Sequence, residues 1–106
     1  MQLVVDFEAE PATVAVEEPS DCGRFHVSVR GHGDAGTLDE ALRSNHVGVV
    51  DGDGEAMVRV DAVRRLVAGA VDDGWEADFA AMVDYARSKG WLSEDGTSIR
   101  AHVEWG

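Results

Sequence analysis

Two short runs set chemically able side chains at every second residue: His26, Ser28 and Arg30 in the first, and Arg100, His102 and Glu104 in the second. Histidine titrates near neutrality, and a carboxylate beside it fixes its tautomer, so a His–Glu pair can move a proton or ligate a metal. Arginine next to such a pair can hold an anionic substrate. Alternate spacing places each trio on one side of an extended strand. If both strands turn their polar sides the same way on one sheet, His26, Arg100, His102 and Glu104 form an acid–base site. The plainer expectation is a sheet face that is merely wet or covered by a second protomer, which carries the same residue types.

Other reactive residues lead elsewhere. Asp51, Asp53 and Glu55 supply the alternating carboxylates that open a calcium loop, but Ala56 stands where such a loop needs glycine and Ala62 where it needs a bidentate glutamate. A hairpin turn is expected there instead. Gly31-His32-Gly33 lacks the spacing of a phosphate-cradling loop. Cys22 has Asp21 beside it, which disfavours a thiolate, so an inert thiol is expected. Trp75, Trp91 and Trp105 could wall a ligand pocket, although closing the rim of a small core is the commoner task. No metal or cofactor is expected.

The elements that would position these residues follow from periodicity. Residues 2–8 alternate Leu3, Val5 and Phe7 against Gln2, Asp6 and Glu8, as in a strand. Thr13 to Val16, bracketed by Pro11 and Pro19, reads as a short edge strand or an irregular connection. Residues 24–30 alternate cleanly. Thr37 with Glu40 suggests a capping box opening a helix through Arg43. His46 to Val50 and Ala56 to Val60 flank Asp51-Gly52-Asp53-Gly54 as the arms of a hairpin. Asp61 is the expected cap of a helix through Ala70, with Val63, Leu66 and Val67 on its inner stripe. A third helix covers 76–89 and ends at Gly90, and residues 98–105 form a last strand that is central to the sheet despite its place in the chain.

The order β-β-α-β-β-α-α-β predicts an α+β two-layer sandwich, an antiparallel or mixed sheet of four to five strands with helices on one face. At 106 residues, one domain spanning 1–106 is expected. Residues 76–92 followed by a turn and a strand are topologically similar to the end of a winged-helix domain. That stretch carries Asp78, Asp84, Glu94 and Asp95 against Arg87, Lys89 and Arg100, a poor match for DNA. The whole chain, with 21 acids, 9 bases and a net charge of −12, repels phosphate and is expected to bind no nucleic acid. Asp6, Glu8, Glu10, Glu17, Glu18 and Asp21 fall before the first arginine. No apolar run is long enough to cross a bilayer, and a lone cysteine points to a reducing, cytoplasmic compartment. The expected function is protein interaction or self-association, through the acidic edge or the open sheet face. The alternatives are a small enzyme using the His/Glu site and an acidic inhibitor that mimics nucleic acid toward a basic protein.

Overall fold

The alternation along residues 98–105 decides the middle of the sheet. The computed structural model describes residues 1–52 and 54–105. Its elements run β1 (Gln2–Asp6), β2 (Thr13–Glu17), β3 (His26–Arg30), α1 (Ala35–Ser44), β4 (Gly48–Val50), β5 (Glu55–Arg59), α2 (Val60–Val67), α3 (Trp75–Lys89) and β6 (Ser98–Trp105). The strands form one mixed sheet in the order β2-β1-β3-β6-β5-β4, curled into a half-barrel. β6 lies parallel to β3 and antiparallel to β5, and so joins the two ends of the sheet. No helix among the described residues is long and apolar enough to cross a membrane.

Period-two patterning gives the sheet an apolar side. Leu3, Val5, Val27, Val29, Ala56, Val58, Ile99, Ala101 and Val103 are buried in one cluster with Leu38 and Leu42 of α1, Val63 and Val67 of α2, and Trp75 and Phe79 of α3. The helices therefore cover one face, and Gln2, His26, Ser28, Arg100, His102 and Glu104 fall on the other, as period two requires. Phe79 is wholly buried, stacked on Trp75 with ring centroids 4.6 Å apart, and the Arg64 guanidinium sits over its ring.

Several expectations need correction. The sheet has six strands among the described residues, more than the four to five expected, because Thr13–Glu17 pairs with β1 along its whole length. The prolines bracket that strand without interrupting it. The curl of the sheet also departs from a plain two-layer sandwich. Thr37 does not cap α1. Asp34 does, accepting from the Thr37 backbone N–H, while the Thr37 side chain accepts from the Asp34 N–H, so the box opens three residues earlier. Helix α2 begins at Val60 without a side-chain cap, because its cap position falls on Arg59 and Asp61 lies within the first turn, where it pairs with Arg59, and it ends at Val67. Gly90 closes α3 in the left-handed conformation, as expected. The hairpin pairs β4 with β5 around Asp51 and Gly52, while Asp53, on which part of the turn and calcium readings fell, lies outside the described residues.

Gly48 faces Val58 in that hairpin, and a Cβ there would collide with the Met57 carbonyl. The obstacle is backbone and cannot swing aside. Gly48→Ala is expected to destabilise the protein by about 1–3 kcal/mol in urea unfolding. An unchanged midpoint would show that the hairpin yields at no cost.

Candidate functional site

The open sheet face carries a wired polar network. Gln2, His26 and His102 sit side by side in register on β1, β3 and β6, with Glu17 beyond Gln2 and Glu55 beyond His102. Gln2 Nε2 donates to Glu17 Oε1 (3.3 Å), and Arg30 donates to the same oxygen (2.8 Å). A carboxylate only accepts, so this contact fixes the Gln2 amide with Oε1 toward Ser28 and His26. Ser28 Oγ donates to Gln2 Oε1 at 2.6 Å. His26 Nε2 lies 3.1 Å from the same atom and 3.2 Å from Glu104 Oε2. Facing two acceptors, Nε2 carries the hydrogen and Nδ1 keeps the lone pair.

Of the expected site residues, the structure thus brings His26 and Glu104 together and sets His102 beside them. It does not bring Arg100 in, because its guanidinium turns to Asp51 at 3.3 Å. The carboxylate of Glu104 is 59% exposed, so the contact faces water and adds little stability. None of the four principal cavities formed by the described residues includes His26 or Glu104.

Two of these cavities lie where β3 stops short. β3 begins at His26, and below it the edge of β6 is met instead by Trp91 and Leu92, which bridge to Arg100 and Ile99. Between this segment, α3 and the 22–25 connection lies a cleft of about 350 Å³. Phe25, Met82, Tyr85 and Trp91 give it an apolar wall, with Arg24 and Asp78 at its lining. A second hollow of about 240 Å³ shares Phe25, Trp91 and Arg100 with the first and adds Glu55 and His102. His102 therefore shares a concave site with Glu55, not with Glu104. Tyr85 and Trp91 meet edge to face, with centroids 5.9 Å apart. The Trp75 indole N–H donates to the Pro19 carbonyl at 2.6 Å, tying the start of α3 to the chain that leads into the 22–25 wall.

Cys22 borders the cleft, but burial, and next the charge of Asp78, push its thiol up, so a thiolate is scarce. No group of three or more His, Cys, Asp or Glu side chains among the described residues is placed to hold a metal. Of the three tryptophans, Trp75 is core, Trp91 lines the cleft and Trp105 is exposed at the end of β6. Glu55 was within reach of sequence reasoning, since it alternates with Met57 and Arg59 on a hairpin arm. The cleft was not, because it depends on where β3 begins. No family model, curated protein or solved structure matches this chain.

β6 is launched by a turn in which Asp95 accepts from the Ser93 and Thr97 hydroxyls and the Thr97 backbone, holding its carboxyl at about 2. Because the folded value lies below the unfolded one, the turn's contribution is complete above the unfolded value, roughly 3.9, and fades as pH falls through the folded one. A carboxyl-carbon NMR titration is expected to place the Asp95 midpoint at about 2. An ordinary midpoint would show that the hydroxyls do not hold the carboxylate. Ring-nitrogen NMR on the neutral form of His26 is expected to find hydrogen on Nε2, and the opposite tautomer would refute the fixed Gln2 amide.

Proposed function

We propose that this chain works by binding a partner protein, with the cleft between α3 and the β3/β6 edge as its contact surface. One observation carries the proposal: Tyr85 and Trp91, 57% and 43% exposed, touch each other on the cleft rim. Exposed aromatic pairs cost solvation, and Trp, Tyr and Arg at a pocket are the residues on which protein contacts concentrate their energy. The smaller hollow prolongs the cleft toward the open sheet face, giving a groove longer than one side chain needs. His102, Glu55 and Arg100 around that hollow support acid–base catalysis as the second reading, in which His102 takes the proton and Arg100 holds an anion.

A photo-crosslinker in place of Ala81, an exposed residue of the cleft lining, tests the proposal. In cells it is expected to yield one discrete protein adduct, which Trp91→Ala and Tyr85→Ala each abolish while thermal melts show both variants folded. His26→Ala and Glu104→Gln are expected to leave the adduct intact. An adduct insensitive to both aromatic variants would refute the cleft as the contact surface, and an adduct to a second copy would make the partner this chain itself.

A further inference from the structure

We infer that the cleft takes an extended partner segment in which one bulky apolar side chain stands between an acidic and a basic residue. The inference rests on the cleft being a protein-binding surface and names what that surface selects.

Two charges in the cleft are left over. Arg30, Arg43, Arg59, Arg64, Arg87 and Arg100 each hold a carboxylate, Arg65 donates to the Asn45 carbonyl, and Lys89 lies over the Tyr85 ring. Among the described residues Arg24 alone of the basic side chains has no such partner. With 21 acids for 9 bases, this is not for want of carboxylates. Asp78 lines the same cleft, and although an acid without a side-chain partner is common in so acidic a chain, this one does not pair with the unpartnered arginine across the same cleft. An arginine and an aspartate left apart across an apolar cleft match an incoming pair of opposite charges. Arg24 receives a carboxylate in a two-pronged hydrogen bond. Asp78 receives an ammonium or guanidinium and repels a second acid, so the charges discriminate as well as attract. Between them the cleft offers about 350 Å³ walled by Phe25, Met82, Tyr85 and Trp91, enough for one large apolar side chain.

The test uses acetylated, amidated pentapeptides with a central leucine, an alanine on either side of it, and glutamate and lysine at the two ends, in both orders, so that in an extended segment the leucine and both charges face the cleft. Each is titrated into the isotope-labelled protein while the three tryptophan indole signals are followed, buried Trp75 serving as the internal control. At least one order is expected to shift the Trp91 signal saturably. Replacing the peptide's glutamate by glutamine is expected to weaken binding about tenfold, Arg24→Gln to do the same, and the two together to cost little more than either. Asp78→Asn against replacement of the peptide's lysine by norleucine is expected to behave alike. Losses that add independently, or a glutamine peptide that binds as well as the glutamate one, would overturn the charge assignment. If the charge tests fail but replacing the peptide's leucine by alanine still weakens binding, the cleft stands and only this inference falls. If no peptide moves the Trp91 signal, both fall.

Discussion

The whole arrangement hangs on β6 entering the sheet between β3 and β5. Without that strand the molecule has two incomplete sheets, β2-β1-β3 and β5-β4, each with an open backbone edge. With it, Ile99, Ala101 and Val103 complete the apolar side under the helices, and the opposite side gains Arg100, His102 and Glu104. The parallel pairing with β3 sets His102 beside His26, and the antiparallel pairing with β5 sets Glu55 on its other flank. Strands paired over such sequence separations exact a large loop-closure cost, which burial on the helical side must offset.

Charge plays a different part. The acid surplus does not simply coat the surface, because several carboxylates are used as local ties. Asp39 accepts from the Val50 backbone and from Arg43, linking α1 to the end of β4, and its carboxyl is held below the ordinary range for that reason. Glu17 orders the Gln2 amide and Arg30 together, and through Gln2 it fixes the ring of His26. These ties sit at the surface, where each is worth little in stability, yet together they set side-chain directions that hydrophobic burial leaves free.

Much of this was legible in the residues. The alternation from Ser98 to Trp105 marked both the strand and its two faces, and the Asp-Gly pairs marked the hairpin. Gly90 marked the end of α3. Local rules were weaker where two residues competed for one role, as when Asp34 in place of Thr37 capped α1. The edge strand at Thr13–Glu17 was legible only as one of two readings, because proline at both ends reads as interruption, whereas here it falls outside the paired residues. Period two set His26 on the polar side of its strand and His102 and Glu104 on the polar side of theirs, while the sharing of one face comes from the pairing of β3 with β6. What no local pattern carries is the pairing of strands far apart in the chain, and the cleft is a product of that pairing: it opens because β3 begins only at His26 and Trp91 takes up the edge of β6 before it.

The bond from the Trp75 indole to the Pro19 carbonyl couples the connection before β3 to the buried start of α3. Two walls that could otherwise drift apart are riveted near one end. A groove held open in this way would cost an occupant of the proposed kind little contact energy in ordering the host, which favours contact that is fast and reversible without being weak.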